Sequence, residues 1–402
     1  MVLWGVALAT PAVLATSLPN STWVALRPLP HQGRVAVFAL AVDPANKDVV
    51  LAGNSAGAIL RSTDGGTTWT TVHAGGGVLD TIAFSPVKAA LVLAGTRGGG
   101  ALVSDDGGQT WSAAAGLEKR SVRAFGFAVN LTVAGTDHGV YASKDARTWT
   151  PSGLGNRNID SIAVLAMHDP VRLVAGSDSA STSGVQLYQS LDAGANWTTF
   201  TPPISGTFAV RLVAGPLPSK GNVRPLLAGT NAGLFQSLDN GVTFTPLSGG
   251  SLLPTTDYTQ VVFITSHHDR FYAASDGGGS GSGGLWRTDN AGATFRSLQP
   301  PSASVTALAV SNDEQPVLYV ATFSSPDHAA ELWAFHDTGN TPKGPPVSPS
   351  PFVSGARTVN SETAGKLFNF LSASQLPYVG LGLGALAVVL TALVSQLRSR
   401  RR

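Results

Sequence analysis

Residues 62–69, STDGGTTW, set Asp64 among hydroxyl side chains and glycines, and residues 104–111, SDDGGQTW, repeat the arrangement around Asp106. An aspartate so placed has two roles open to it: acid–base work on a bound substrate, or hydrogen bonding within its own turn. Asp80, Asp160 and Asp257 raise the first role again, since they stand where loops lead into new strands. Two such acids about 6.5–9.5 Å apart are what inverting glycoside hydrolysis needs, although loop carboxylates are ordinarily solvated. His267-His268-Asp269 places three metal-ligating types in a row, but neighbours in an extended chain point to opposite sides. DGGGSGSGG, residues 276–284, lacks the lysine and following helix of a phosphate loop and reads as a flexible loop. No metal or cofactor is expected.

Repetition decides between the two roles for the octet. Weaker copies are SKDARTW (143–149), SLDAGANW (190–197), SLDNGVTF (237–244), TDNAGATF (288–295) and FHDTGNT (335–341). Their central residues are Asp64, Asp106, Asp145, Asp192, Asp239, Asn290 and Asp337, separated by 42, 39, 47, 47, 51 and 47 residues. That spacing matches a propeller blade of about 40–50 residues. The aromatic that closes the first six copies is Trp69, Trp111, Trp149, Trp197, Phe244 or Phe295. A catalytic constellation gathers different residues at one place, whereas here one motif recurs round the chain. The octet therefore reads as a hairpin: Asp accepts from backbone N–H groups, Gly supplies a positive φ, and the aromatic buries a large area.

Each copy follows three strand signals. An alternating apolar run such as VFALAVDP or TIAFSP comes first, then a run ending in small residues such as VLAG or LLAGT, then a third such as GAILRS or GLFQS. The aromatic opens a fourth, as in TWTTV or NWTTF. The seventh unit lacks a fourth strand after residue 300, and STWVALRPLP, residues 21–30, has the form of that missing strand without an octet before it. The expected fold is all-β: a seven-bladed propeller of four-stranded antiparallel blades over about residues 20–341, closed by the N-terminal strand.

Composition agrees. Of 402 residues, 12% are charged and 43% hydrophobic, with 46 glycines and 25 prolines dispersed, as short strands joined by turns require. The net charge of +2 gives no reason to expect nucleic acid. With no cysteine, disulfides, Cys-based zinc sites and thiol nucleophiles are excluded. Residues 376–397 carry no charge over a length that crosses a bilayer as one helix, and the tail 398–402, RSRRR, argues for a cytoplasmic C-terminus. Residues 342–375, rich in Pro, Ser, Thr and Gly, read as a tether, and residues 1–17 as a signal peptide without the usual basic start. The expectation is a single-pass membrane protein that touches the lipid bilayer through its C-terminal helix and holds its propeller outside the cytoplasm.

The octet resembles the Asp-box, or BNR repeat, of sialidases, some endoglucanases, sortilin-type receptor domains and photosystem II assembly-factor propellers. The resemblance implies the propeller fold and places the boxes on the ring face away from the usual active site. Sialidase activity implies three arginines around a substrate carboxylate, a Tyr–Glu nucleophile pair and an acid Asp. The sialidase Arg-Ile-Pro signature has only Leu26-Arg27-Pro28 as a counterpart, and the glutamates Glu118, Glu314, Glu331 and Glu362 have no motif linking them to a tyrosine. In architecture the chain is most similar to the assembly-factor type. On the face opposite the boxes, Arg34, Arg97, Lys119, Arg120 and Arg157 form one basic arc, and Asp257, Asp276 and Asp327 an acidic one. The expected function is non-enzymatic: a protein-binding or assembly scaffold whose partner is a membrane or extracytoplasmic protein. The alternative is a sialidase-like glycoside hydrolase or carbohydrate binder, for which only Trp4, Trp286 and Trp333 remain outside the octets and closing strand.

Overall fold

The computed structural model describes residues 18–340 apart from 27–34, 169, 178–183, 201, 203, 208, 218–222, 266, 280–281 and 325–328. They form seven four-stranded antiparallel sheets. Blade 1 is Val37–Asp43, Asn46–Asn54, Ile59–Ser62 and Thr70–His73, in that order from the centre outwards. Blades 2 to 6 repeat the order from Leu79, Val122, Ile159, Ala209 and Gln260. The first strands of successive blades touch all the way round, enclosing a central channel.

Blade 7 combines the two ends of the ring. Val305–Val310, Val317–Ser324 and Ala329–His336 supply three strands, and Trp23–Ala25 pairs with the last of them. Closure by the N-terminal strand is as the sequence requires, though the described strand is three residues long. Trp23 fixes it: its ring lies 4.8 Å from Phe335 and its Nε1 donates to Leu298 O of blade 6 at 2.8 Å. Ser21 Oγ lies 2.8 Å from Thr338 Oγ1, so both ends of the ring meet on the face that carries the octets.

The core lies between blades. Seven apolar clusters of described residues each join the facing sides of two neighbouring blades, from Val50, Leu60, Tyr319 and Ala334 at the seam of blades 7 and 1 to Tyr272, Leu285, Val305 and Phe335 at that of blades 6 and 7. Burying a Val, Leu or Phe in such a seam is worth about 1.5–3 kcal/mol. Second strands such as Val92–Thr96 are buried along their whole length, which is why they read as unbroken apolar runs. Their glycine has a steric cause: a Cβ at Gly95 would meet Val122 O at 2.4 Å, and one at Gly229 would meet Tyr258 O at 2.3 Å, both on the next blade.

The outer strands are shorter than the sequence suggests, Ser112–Ala113 and Thr150–Pro151 having two residues each. The octet aromatic belongs to the turn rather than the strand, because its indole folds back: Trp69 Nε1 donates to Gly66 O at 3.0 Å. Short outer strands also limit the unpaired edge each blade offers. Among the described residues no helix is long and apolar enough to cross a membrane. The expected span 376–397, the tether 342–375, the tail 398–402 and the leader 1–17 lie outside the described residues.

Candidate functional site

The octets are closed hydrogen-bonded turns. In the first, Ser62 Oγ donates to Asp64 Oδ1 at 2.8 Å and accepts from Gly66 N–H at 2.8 Å. Thr68 donates its N–H to Oδ1 at 2.8 Å and its hydroxyl to Oδ2 at 2.6 Å. The same bonds recur round Asp106, Asp192 and Asp239. At Asn290 the amide keeps the pattern, with Oδ1 accepting from Thr288 and Nδ2 donating to Thr294. The shortened copy turns through Ala146, at φ 63°. N–H groups of Thr148 and Arg147, with the Ser143 hydroxyl, hold the Asp145 carboxyl down at about 2. Partial desolvation opposes the same effect at Asp106, but bonds from Thr110, Ser104 and Gln109 prevail and hold it at about 2. Carboxylates so saturated are poor proton donors, and the structural role of the octets follows.

Asp337 departs from this scheme. It is fully buried and accepts from Arg287 Nη1 at 2.5 Å, Tyr272 Oη at 2.7 Å and Gly339 N–H at 2.9 Å. Arg287 also pairs with Asp289 at 2.6 Å, which in turn pairs with Arg270 at 2.6 Å. The seventh copy has thus become an ionic clasp between blades 6 and 7.

On the opposite face, six of the first strands begin with a bulge, where the sheet register shifts by one residue. The extra residues are Phe38, Asp80, Arg123, Asp160, Val210 and Thr306. Bulges re-aim side chains, and here they ring the mouth of the channel. Two of the acids singled out in the sequence are therefore real mouth residues, but each is engaged. Asp80 pairs with Arg97 at 2.7 Å, and Asp160 pairs with Arg123 beside Asn158. They stand on blades 2 and 4, with blade 3 between them. Other mouth contacts join inner strands: Ser161 Oγ donates to Ala209 O at 2.9 Å, and Thr306 Oγ1 to Val37 O at 2.8 Å. Sequence reasoning missed these partners, although aligning the seven first strands puts Asp80, Arg123 and Asp160 in one column.

Asp257 is not on a solvated arc but buried, accepting from Ser275 Oγ at 2.9 Å. Its neighbour Asp276 is hydrogen-bonded to it, and burial, that bond and the Asp257 charge push the Asp276 carboxyl up to about 7. Asp327 and Arg34 lie outside the described residues. Of the basic arc, Arg97 spends its guanidinium on Asp80. Lys119 is exposed and Arg120 and Arg157 half-exposed, and among the described residues no carboxylate lies within ion-pair distance of the three. Carbonyls of Arg120 and Arg157 accept from Gly100 and Gly139, which holds both residues at the tops of blades 2 and 3. Trp286 and Trp333 are buried and offer no platform for a sugar. His267 and His268 begin the second strand of blade 6, and no group of three His, Asp or Glu side chains suited to a metal occurs among the described residues.

No family model matches the chain, and no curated protein matches it by sequence. Solved structures do. YCF48 from Cyanidioschyzon merolae is similar at 17% identity and a TM-score of 0.53, over 78% of this chain and 98% of that one. A structure of YCF48 bound to D1 peptide gives 16% and 0.56, over 81% and 99%. An ancestral GH74 enzyme gives 17% and 0.51, over 80% of this chain but 57% of the enzyme. At these identities the likeness is one of fold, and it bears out at that level the resemblance to Asp-box propellers that the octets carry.

Proposed function

We propose that this chain is a membrane-anchored, extracytoplasmic propeller that serves as a protein-binding or assembly scaffold. The observation that supports it best is the state of the mouth face: Asp80 and Asp160 are each tied to an arginine, while Lys119, Arg120 and Arg157 on the same face are in no ion pair among the described residues. Fixed ion pairs suit a stable surface, and free cations steer an acidic partner. The solved complex of YCF48 with a D1 peptide is a precedent for peptide binding on this fold. Among the described residues the exposed large hydrophobics, Val87, Val129, Leu191, Leu217, Leu238 and Val242, all occupy turns of the octet face.

The test is capture of partners from native membranes by the wild type and by a Lys119→Glu, Arg120→Glu, Arg157→Glu variant. Loss of a discrete protein partner from the variant is expected, and unchanged capture would remove the basic arc from the account. One observation favours glycoside hydrolysis instead: the Asp276 carboxyl, pushed up to about 7 beside Asp257, keeps its proton to higher pH than an ordinary carboxyl, as a general acid requires. Turnover of a glycan by the wild type, abolished in Asp276→Asn, would establish that reading.

A further inference from the structure

Both faces of a blade are covered by its neighbours, so side-chain surface left accessible on an innermost strand opens to the channel. Blades 5 and 6 leave the most. On Ala209–Ala214 only Ala209 and Leu212 are buried, and on Gln260–Ile264 only Val261 and Ile264. Val213 and Phe263 pack partly into the seam of blades 5 and 6 and Val262 into that of blades 6 and 7, which leaves the half-buried Val210 beside two polar side chains, Arg211 and Gln260.

Arg211 differs from the other arginines of the mouth. Arg97 and Arg123 each meet an aspartate, whereas Arg211 Nη2 donates to the neutral Oε1 of Gln260 at 2.7 Å. Among the described residues no carboxylate lies within ion-pair distance of it. Arg211 as a residue is half-buried, and protein surrounds its guanidinium closely enough that burial pushes its pKa down, with no neighbouring charge to restore it. Beside Gln260, the Thr259 hydroxyl is buried without a hydrogen-bond partner. A desolvated cation that leaves most of its N–H donors without a protein acceptor is costly, and a carboxylate, which matches the guanidinium fork with two oxygens, removes that cost.

We infer that Arg211 and Gln260 form the polar end of a channel site for an organic carboxylate, whose apolar part lies against Val210. Two sources present this chemistry, a free small acid and the C-terminus of a peptide ending in an apolar residue. The site requires neither the membrane anchor nor the basic arc.

Calorimetric titration of the full chain in detergent tests it with three probes: N-acetyl-leucine, its amide, and an N-acetylated Ala-Ala-Leu peptide with a free carboxyl terminus. The acid and the peptide are expected to bind at least about tenfold tighter than the amide, and Arg211→Met to lose that preference. A tighter peptide assigns the site to chain termini, and equal binding of acid and peptide to small acids. Without ligand, Arg211→Met is expected to melt at or above the wild-type temperature, because the variant no longer buries a lone charge. Equal binding of acid and amide, no binding of either acid or peptide, or unchanged carboxylate binding in Arg211→Met would overturn the assignment. The acid–amide comparison needs no variant, so it decides the matter even if Arg211→Met does not fold.

Discussion

The ionic clasp at Asp337 gives a sharp test of how the ring is held shut. Replacing Asp337 by Ala removes an acceptor from Arg287, Tyr272 and Gly339 at 2.5, 2.7 and 2.9 Å, at a position with no solvent to substitute. Breaking a buried pair by removing one partner costs about 3–5 kcal/mol. Arg287 retains Asp289 at 2.6 Å, which places the loss near the lower end, at about 3 kcal/mol. Asp337→Asn keeps Oδ1 as the acceptor for Arg287 and Gly339 and puts an amide NH2, to which the Tyr272 hydroxyl can turn as acceptor, in place of Oδ2, so about 1–2 kcal/mol is expected. Removing both charges, in Arg287→Met with Asp337→Leu, is expected to recover at least half of the Asp337→Ala loss, because no lone charge is left buried. Urea denaturation followed by tryptophan fluorescence reads this directly, since Trp23 and Trp333 stand in the same seam. If the double variant is as unstable as the sum of its single changes, or if Asn is no better than Ala, the clasp does not act as a buried charge pair.

The octet turns lower the pKa of their aspartates, so their stabilisation is complete above the unfolded value near pH 4 and is lost as pH falls towards about 2, the folded value at Asp106 and Asp145. Melting temperatures between pH 5 and pH 2 should fall in that window, and less steeply in a variant with Asn at Asp64, Asp106 and Asp145. The Asp276 carboxyl has the opposite sign: raised to about 7, it contributes fully below pH 4 and its contribution is lost as pH rises through about 7. Relative to wild type, Asp276→Asn should therefore be more stable at pH 8 than at pH 5 in the same melting series. Gly95→Ala puts a Cβ 2.4 Å from Val122 O and should destabilise by about 1–3 kcal/mol, whereas Gly155→Ala meets nothing within 4 Å and should be near neutral in urea denaturation.

What was legible in the sequence is what repeats. Seven copies of one turn fix the blade length, and the Thr-Trp of residues 22–23 reveals the closing strand because it matches the fourth strands in every feature except the turn before it. The aromatics of the octets were legible as anchors but not as turn residues, since nothing local tells an outward strand residue from one whose indole folds back on a carbonyl. The mouth was only half legible. Asp80 and Asp160 stand out by type, but their partners Arg97 and Arg123 lie 17 and 37 residues away, the first across the hairpin of its own blade and the second on the neighbouring blade. Arg211 and Gln260, 49 residues apart on adjacent blades, carry no motif at all. The one-residue bulges are similarly silent, because they change the direction of a side chain without changing the apolar period around it. Asp337 looked like a decayed copy of the turn, and its burial against Arg287 depends on a residue 50 positions earlier.

The central claim is that the ring binds a protein rather than turning over a glycan. Affinity purification of the intact chain from its native membrane, followed by mass spectrometry and set beside a glycan array of the same protein, tests it most directly. The account predicts reproducible enrichment of a discrete membrane or extracytoplasmic protein and no glycan binding or turnover. Reproducible glycan binding or hydrolysis with no protein partner would contradict it.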